Sequence, residues 1–560
     1  MITVALLMVW QVILLVGLGH WVLHKGLGLR NQVLEITTLI SLGIAGVLGN
    51  TYSLFFPMNA VAKTGFALLC LSAYFDKSCR LQFKEYIDRI IESDRIDKTV
   101  FVLLITLATL LAAGPIIRDD SESYHLQSIL WLNEYGTVPG LANLHSRLGF
   151  NSSWLQTISL LTPLSTQNFY TTPNTLLSIL VASAVLIPHK RGSIEQNSIE
   201  KLSRIATLFL MLSIWYYWRG NIQSCNYDYY FTATIILFYF QLNAVDTNKK
   251  YKFFVLALLP PILCSIRLIY FPSLLITAYI LLRWHKEKRF KSIAYTIAVT
   301  TVALGAHVYR SYVLSGYPLY PSSLFTFSIP YWQVPKEQLT HLLEYIRNYS
   351  ISRELGFVSQ LMSWASYLFH YEKLVVGLGG LGLLVAGFQQ YVVKKETDKK
   401  RLNFTNVLAM YISVQILLWF YVSPEPRFIA GIFFIGQTML LRSIFQKLIN
   451  NEKITGTLHR SISILFCVFL AILILMKLTK EKEDYMNIYW PKLIPKPETR
   501  NFIWERTMVR IPEKINDNWN NRCYLTPLPC VYDSLPGIKM KSSNLADGFY
   551  TEQYKRRKLP

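Results

Sequence analysis

The chain has 560 residues, of which 52% are apolar and only 16% are charged. About a quarter of the residues in a soluble globular protein are charged, so this composition argues against a soluble domain. The formal net charge is +22, but the basic residues gather in short loops between apolar runs. Membrane orientation therefore explains the charge better than nucleic-acid binding, and no nucleic-acid partner is expected.

Apolar runs of roughly 17–23 residues recur along the chain, which is the length that crosses roughly 30 Å of hydrocarbon. The first run begins at Met1 without a basic leader, which indicates a retained first helix and not a cleaved signal peptide. The predicted fold class is an all-α polytopic membrane protein with about 11 to 14 transmembrane helices. The predicted spans lie near 2–23, 33–52, 55–75, 99–117, 172–188, 204–218, 229–244, 253–264 with 268–282, 293–309, 374–392, 404–421, 428–445 and 461–477.

The distribution of basic residues predicts the orientation of these spans. Two loops are especially rich in lysine and arginine, at 283–291 and 394–401, and such loops favour the cytoplasmic side. The segments that then face outward are 118–150, 219–228, 310–373, 423–427 and 478–560. The predicted location is a bacterial inner membrane, crossed many times, with the functional site facing the periplasm.

Five regions follow from this map. They are membrane helices with a cytoplasmic hairpin at 1–98, a membrane core at 99–310 with the acidic outer loop 118–150, a periplasmic insertion at 311–373, further membrane helices at 374–477 and a periplasmic tail at 478–560. The insertion contains helix-like sequence from Pro335 to about His370, since Pro is favoured in a first helical turn. The tail is expected to pack on the outer face of the membrane helices.

Two adjacent carboxylates, Asp119 and Asp120, directly follow an apolar run. One interpretation is helix capping, because Asp is favoured at a helix start. The other is catalysis, in which one carboxylate takes a proton from an acceptor hydroxyl while its neighbour raises its pKa. Both acids are candidate catalytic residues. Candidate substrate-binding residues in the same motif are Glu122, Tyr124 and His125.

The segment 136–154, immediately after these acids, mixes polar and aromatic residues in a short outer stretch. Amide and hydroxyl groups bind sugar hydroxyls, and a Trp ring offers an apolar stacking face, so the mixture favours sugar binding. The alternative is that these groups only fasten the loop together. The candidate substrate-binding residues here are Asn143, His145, Arg147, Asn151 and Trp154.

Arginines at predicted outer helix ends are unexpected from the usual charge asymmetry of membrane proteins. Arginine binds phosphate through two parallel hydrogen bonds, so these residues are candidates for a lipid-linked phosphate. The alternative is that they reach toward lipid head groups. The candidates are Arg427, Arg267, Arg219 and Arg310, with Arg427 and then Arg267 favoured. Asp228, at the outer start of another span, is either a second acid of the site or a helix cap.

Two cysteines share the predicted outer tail, Cys523 and Cys530. A disulfide between them is predicted because the compartment is oxidising, and two free thiols are the alternative. No cofactor is predicted. A divalent metal could be held by the two acids, but the chemistry does not require one if arginines neutralise the phosphate.

The acid motif, the many spans, the later outer insertion and the outer tail together resemble the GT-C superfamily of membrane glycosyltransferases, which use polyprenyl-phosphate-linked sugars. Asp119-Asp120 matches the acidic pair of that superfamily. In the superfamily the acid usually follows the first span, whereas here three helices precede it. The three helices that precede the acid are then an addition to the superfamily fold, or the superfamily assignment is wrong.

A narrower resemblance is to a bacterial group of multi-spanning membrane proteins from Bacteroidetes and spirochaetes, and it runs from about residue 110 to about residue 535. The loop acid of that group aligns with Asp120, which implies that Asp120 is the base and Asp119 a supporting residue. The strings that carry the resemblance lie at 120–125, 140–154, 315–321, 424–428 and 523–530.

The resemblance and the residues together predict an inverting membrane glycosyltransferase of cell-surface glycan assembly. Its partners would be a polyprenyl-phosphate-sugar donor, a glycan, lipid or protein acceptor, and membrane lipid. One alternative is a polysaccharide polymerase or ligase of the O-antigen type, which would depend on arginines and a large outer loop. Another is a polytopic transporter or flippase, although no internal repeat is visible.

Overall fold

The structure is a computed structural model of the full chain. It describes all residues except 30–32, 188–197, 214, 245–248, 355, 395–403, 449–451, 486, 505–506, 514–521, 532–536 and 552–560. Most of the predicted basic loop at 394–401, and parts of the loops at 189–203, 246–252 and 446–460, lie outside the described residues.

The first third of the chain is helical, and polar residues begin several of its helices. Asn59, Asp76 and Asp94 each accept hydrogen bonds from backbone N–H groups in the following first turn, which satisfies donors that a helix start leaves unpaired. The helices are α1 Ile2–Gly19, α2 Leu34–Tyr52, α3 Ala60–Ser72, α4 Lys77–Glu92, α5 Arg95–Ala113, α6 Leu126–Glu134, α7 Leu141–Leu144, α8 Ser153–Leu161 and α9 Thr172–Leu186. Two π-helical segments, His20–Gly26 and Ser121–His125, extend α1 and precede α6.

The central and C-terminal parts remain helical to residue 485. Their helices are α10 Ser198–Ser213, α11 Trp215–Ile222, α12 Asp228–Ala244, α13 Lys249–Ile266, α14 Leu274–Lys286, α15 Phe290–Ser315, α16 Lys336–Asn348, α17 Phe357–Tyr367, α18 His370–Lys394, α19 Phe404–Val422, α20 Ala430–Leu448, α21 Glu452–Lys480 and α22 Lys482–Tyr485. Short 3-10 turns at Ser146–Gly149, Leu268–Ser273 and Pro426–Phe428 connect some of them.

Eight helices within the described residues are long and apolar enough to cross a membrane, by length and composition. They are Ile2–Gly26, Leu34–Tyr52, Arg95–Ala113, Leu268–Lys286, Phe290–Ser315, His370–Gln389, Phe404–Val422 and Ile454–Lys480. The sequence predicted more spans because several apolar runs form shorter helices. For example, α9, α10 and α12 have 15, 16 and 17 residues, against the roughly 20 that span a bilayer.

One large apolar core joins most of these helices. The most central helix is α2, which is almost entirely buried and packs against α1, α8, α13 and α15. A second group forms around α20, which contacts α10, α12 and α18. Helices α18 and α20 approach so closely that a Cβ added at Gly382 would lie 1.8 Å from the carbonyl oxygen of Gly436.

The segments that the charge pattern places outside meet at one end of the helical bundle, which we call the loop end. The N–H of Ile117 donates to the carbonyl of Gln223 over 3.2 Å. Gly140 likewise donates to Val313 over 2.9 Å, which joins loop 118–150 to the end of α15. The charge pattern predicts only that these loops lie on the same side of the membrane. The hydrogen bonds between them show that they also contact one another.

The opposite end, which we call the basic end, is joined by other polar contacts. Arg89 of α4 forms an ion pair of 2.8 Å with Glu35 at the start of α2. His459 of α21 lies 3.5 Å from Asp97 at the start of α5. These contacts hold the predicted cytoplasmic hairpin and the last long helix against the bundle.

The tail departs from a purely α-helical fold. Strands β1 Thr499–Trp504 and β2 Thr507–Pro512 pair antiparallel, as do β3 Ile538–Met540 and β4 Phe549–Thr551. A disulfide joins Cys523 to Cys530 between the two hairpins. Val509 and Phe549 pack in one apolar cluster with Trp131. The tail therefore packs on loop 118–150 and α6, as the sequence predicted, although its strands were not predicted.

The insertion is partly helical, as its sequence predicted. The helix-like sequence from Pro335 to about His370 forms two helices, α16 and α17. Gly356 lies directly before α17 in extended conformation.

The glycine contact between α18 and α20 gives a stability test. In Gly382→Ala the new methyl group meets backbone that no side-chain rotation can move, so the helices must separate. We expect a loss of about 1–3 kcal/mol, as for other overpacked sites, and a lower midpoint of thermal unfolding in detergent. Gly380→Ala is the matched control, because nothing lies within 4 Å of its added Cβ. Equal unfolding midpoints for the two variants would contradict the close approach.

Candidate functional site

The Asp120 carboxylate lies between two arginines at the loop end. Arg147 Nη1 is 3.0 Å from Asp120 Oδ1, and Arg427 Nη1 is 3.3 Å from Asp120 Oδ2. The Asp120 side chain remains 26% exposed. The Asp120 carboxylate is thus paired with two guanidiniums and remains partly accessible to solvent.

The pKa of Asp120 moves in the opposite direction from the sequence prediction. Burial favours the protonated carboxyl, but the positive charges of the neighbouring guanidiniums, Arg427 and Arg147, outweigh it, and the pKa is lowered. The expectation that Asp119 raises this pKa was wrong, because the nearest charges to Asp120 are guanidiniums and not the neighbouring carboxylate. Asp120 is therefore ionised near neutral pH and is a weak proton acceptor in this arrangement.

Arg147 and Arg427 reach Asp120 from two short 3-10 turns. Arg147 lies in the turn Ser146–Gly149, where its backbone N–H donates to His145 Nδ1 over 3.3 Å. Arg427 lies in the turn Pro426–Phe428 between α19 and α20. The chain just before that turn is fixed by Trp419 Nε1, which donates to the carbonyl of Glu425 over 2.7 Å.

A further ion pair, between Arg267 and Asp228, lies beside the ion triad of Asp120. Arg267, which precedes α14, pairs with the buried carboxylate of Asp228 at the start of α12. The Tyr270 hydroxyl lies 3.4 Å from the same carboxylate and donates to the carbonyl of Phe428 over 3.1 Å. These contacts join the start of α12, through Asp228 and Tyr270, to the turn that carries Arg427.

Three aromatic rings lie beside the guanidiniums of Arg147, Arg267 and Arg427. They belong to Tyr124, Tyr227 and Phe428. The guanidinium carbon of Arg267 lies 3.6 Å from the centre of the Phe428 ring, and that of Arg427 lies 5.3 Å from it. Arg147 lies 5.7 Å from the Tyr124 ring, and the Tyr124 and Tyr227 hydroxyls are 3.4 Å apart. Cation–π attraction of this kind holds a guanidinium without neutralising it.

Charged groups of both signs meet at this site. Three guanidiniums, from Arg147, Arg267 and Arg427, lie with the carboxylates of Asp120 and Asp228, and Glu425 also acts on Arg427. Burial lowers the pKa of His125 to about 4 and that of His145 to about 3, so both are neutral near pH 7. The three arginine side chains remain partly exposed, which favours the binding of an anion such as a phosphate.

Asp119 and Glu122 bind the tail instead of joining the site. Asp119 is 82% exposed and lies 2.9 Å from Arg522 Nη2. Glu122 Oε2 lies 3.0 Å from Nε of the same arginine, and its backbone carbonyl accepts the N–H of Tyr524 over 2.8 Å. Glu122 was predicted to bind substrate, but its side chain is buried against the tail, so that prediction does not fit the structure.

Several residues of the segment 136–154 are buried and make hydrogen bonds that hold the loop in place. Trp154, predicted as a sugar-stacking ring, is 0% exposed, and its Nε1 donates to Asn174 over 2.9 Å. Asn143 is buried and donates to the carbonyl of Trp332 over 2.7 Å. Buried groups that are already paired cannot face a sugar, so the alternative of a fastened loop holds for both.

Two of the predicted phosphate-binding arginines lie apart from Asp120. Arg310 is buried in α15 and donates to Asn151 Oδ1 over 2.7 Å, which also removes Asn151 from the site. Arg219 of α11 pairs with Glu481 over 3.3 Å and donates to Gln223 over 2.6 Å. Each of these arginines is already paired within the protein, so neither occupies the phosphate site that the sequence predicted.

Some residues of the site were not predicted. Tyr227 and Phe428 adjoin the predicted Asp228 and Arg427 in sequence, and an aromatic residue beside a charged one was the available signal. Tyr345 of α16 lies close enough to Arg147 and Asp120 for both to influence the pKa of its hydroxyl. The insertion therefore contributes to the site, which no local pattern indicated.

The two acids of the motif do not converge on one metal position, since Asp119 and Asp120 pair with different arginines. Within the described part of the chain, the grouping of potential ligands that is tight enough for an ion lies at the basic end, at His20, His24 and Asp76.

Comparison with known proteins gives one match. Residues 1–434 match the model of a family described as a domain of unknown function, DUF8201. No curated protein and no solved structure matches the chain significantly.

The contact between Glu122 and the tail gives a pH test. Burial raises the pKa of Glu122 from 4.5 to about 7, against the opposing effect of Arg522. The folded state thus holds this proton more tightly than the unfolded state. The resulting stabilisation is complete below about pH 4.5 and is lost as the pH rises through about 7. Between about pH 5 and 8 we expect limited proteolysis of the tail to accelerate more in the wild type than in Glu122→Gln, which cannot ionise.

The matched control for this test is Glu344→Gln, whose carboxylate is exposed in the insertion. It should retain the wild-type dependence on pH. If Glu122→Gln retains it as well, ionisation of Glu122 does not govern the docking of the tail.

Proposed function

The chain belongs to the DUF8201 family, and we propose that it is a membrane glycosyltransferase that moves a sugar from a polyprenyl-phosphate-linked donor to an acceptor. The observation that carries the proposal is the ionised Asp120 held between Arg147 and Arg427, beside the Arg267–Asp228 pair. A carboxylate and neighbouring guanidiniums are the two components needed to orient a hydroxyl and to receive a phosphate leaving group.

In the proposed reaction the acceptor hydroxyl approaches Asp120 and donates a hydrogen bond to its carboxylate. The hydroxyl oxygen forms a bond to the anomeric carbon as the bond from that carbon to the phosphate oxygen breaks. The polyprenyl phosphate leaves with the bonding electron pair, and the hydroxyl proton passes to Asp120. A single displacement of this kind inverts the anomeric configuration.

The lowered pKa of Asp120 determines when the proton moves in this proposal. A weak base accepts a proton only after the hydroxyl oxygen has become acidic through bonding to the sugar. The first role of Asp120 is therefore to orient the acceptor. An incoming phosphate would share Arg427 with Asp120, which weakens the hold of that guanidinium on the carboxylate and makes the carboxylate a better proton acceptor.

Arg427 and Arg267 are the proposed phosphate ligands. Both lie on Phe428, which keeps the two guanidiniums near each other without neutralising either. The Arg427 side chain is 28% exposed, so part of its guanidinium is accessible to a ligand. Such fixed donors stabilise charge that develops on a leaving group.

The proposed location is a bacterial inner membrane with the loop end facing the periplasm. The charge of the predicted loops supports this orientation. The Cys523–Cys530 disulfide also supports it, because the tail that contains the disulfide docks on Glu122 at the loop end, and disulfides persist in oxidising compartments. The proposed acceptor is a glycan, lipid or protein of the cell envelope.

The test of Asp120 is the variant Asp120→Asn. It keeps the shape of the side chain but removes the charge that orients the acceptor and receives its proton. We expect sugar transfer from a polyprenyl-phosphate-sugar donor to fall by about 10²–10⁴-fold, measured with radiolabelled donor and purified protein in lipid nanodiscs. Binding of polyprenyl phosphate should be retained, since no phosphate ligand is removed.

Asp119→Asn is the matched control, because the adjacent carboxylate is exposed and pairs with the tail. It should transfer sugar at nearly the wild-type rate. Transfer that survives in Asp120→Asn would remove Asp120 from the mechanism and would favour a polymerase or ligase of the O-antigen type, whose chemistry depends less on this acid.

The test of the phosphate site is Arg427→Gln. Loss of this guanidinium removes one donor to the phosphate, and we expect transfer to fall by roughly 10²-fold together with weaker binding of polyprenyl phosphate. Arg219→Gln is the control, since Arg219 pairs with Glu481 away from the site. Unchanged phosphate binding in Arg427→Gln would assign Arg427 a purely structural role beside Asp120.

A further inference from the structure

Three potential metal ligands meet at the basic end, far from Asp120 in the bundle. One ring nitrogen of His20, one of His24 and one carboxylate oxygen of Asp76 all lie within 4.8 Å of one another. The two histidines occupy the π-helical segment His20–Gly26, and their rings stack with centres 4.7 Å apart. Residues four apart share a helix face, and π-helical turns are frequent at functional sites.

His20 is the first sign that the cluster is more than packing. Its side chain is completely buried, and neither ring nitrogen makes a hydrogen bond of normal geometry within the described residues. Its Nε2 lies 3.3 Å from Asp76 Oδ2 and points into the cluster. A buried imidazole that lacks well-formed hydrogen bonds is costly, and a cation between its Nε2 and the Asp76 carboxylate would offset that cost.

His24 is oriented as a metal ligand would be. Its Nδ1 lies 3.1 Å from the carbonyl oxygen of Leu29. A carbonyl can only accept, so Nδ1 carries the proton and Nε2 keeps its lone pair. Metal-bound histidines commonly have their second nitrogen fixed by a backbone carbonyl in this way.

Asp76 is also held in place. Its Oδ1 accepts hydrogen bonds from the backbone N–H of Ser78 over 2.9 Å and from the Ser78 hydroxyl over 2.8 Å. Its Oδ2 remains directed at His20, and Lys25 Nζ lies 2.6 Å from the same oxygen. The Lys25 side chain is 49% exposed, so the ammonium can move into solvent when another cation takes its place.

We propose that His20, His24 and Asp76 bind one divalent transition-metal ion of the Zn²⁺ class. Two imidazole nitrogens and one carboxylate oxygen, with water in the fourth position, are a common ligand set for this ion. In a tetrahedral Zn²⁺ site with bonds of about 2.0–2.2 Å the ligand atoms lie about 3.3–3.6 Å apart, so the separations between the three side chains would shorten by about 1.5 Å or less. Lys25 occupies the position of the cation when the metal is absent.

The ion would connect two elements that also pack together through Val16 of α1 and Cys79 of α4. His20 and His24 extend the first long helix, whereas Asp76 caps α4, the helix of the predicted cytoplasmic hairpin. The site is independent of the proposed glycosyl transfer, because it shares no residue with the group around Asp120.

The experiment is a metal titration of the full-length protein, purified in detergent with an affinity tag that contains no histidine and stripped with a chelator. Co²⁺ serves as the spectroscopic probe, and the Zn²⁺ content is measured by mass spectrometry after loading and desalting. We expect one ion per chain, with visible Co²⁺ bands of a four-coordinate site. In His24→Gln and in Asp76→Asn the affinity should fall at least tenfold.

The variant Lys25→Met distinguishes metal binding from a purely structural role of the cluster. It removes the competing ammonium from the exposed side of the site, so metal affinity should rise several-fold without disturbing the buried residues. His341→Gln is the control for non-specific binding, since that histidine is 82% exposed in the insertion. Wild-type metal content equal to that of His24→Gln, or unchanged affinity in Lys25→Met, would overturn the proposal.

Discussion

The ion triad of Asp120, Arg147 and Arg427 is the interaction on which the loop end depends. Asp120 and Arg427 are separated by 307 residues in sequence. Asp120 directly precedes the π-helical segment that continues into α6, and Arg427 lies in the short turn Pro426–Phe428. A partly buried carboxylate is costly unless it is paired, and here two guanidiniums from different turns pair with it. The same contacts fix loop 118–150 against the link between α19 and α20. They also lower the pKa of Asp120, so a structural requirement sets the chemistry that the carboxylate can perform.

The surrounding charges are arranged so that neighbouring elements constrain one another. Asp228 binds Arg267, and the Phe428 ring lies between Arg267 and Arg427. Movement of one arginine therefore disturbs the other. Pre-organised donors of this kind are effective in catalysis because they need no rearrangement when charge develops. The acids on the tail side, Asp119 and Glu122, have a different role and hold Arg522 instead.

Much of the fold could be predicted from local pattern. The apolar runs indicated the long helices, Asp76 and Asp94 begin helices in the manner that capping predicts, and the two cysteines of the tail form a disulfide. The site was less predictable. Sequence reasoning selected Asp120, Arg427, Arg267 and Asp228, which do lie together, but also Trp154 and Arg310, which are buried among structural partners. Residue type indicates what a side chain can bind, whereas burial decides whether a ligand can reach it.

The sequence by itself determined the helical, membrane-compatible character of this protein and the grouping of its loops into two sets, because hydropathy and charge act over a few neighbouring residues. Only the tertiary structure decided which charges meet. Arg147 could have served any carboxylate of its loop, and it faces Asp120 because the turn Ser146–Gly149 directs it there. Asp119 and Asp120 are adjacent in the chain, yet they bind different arginines. That division depends on the docking of the tail and of the α19–α20 link, and contacts between such distant segments leave no periodic signal in the sequence.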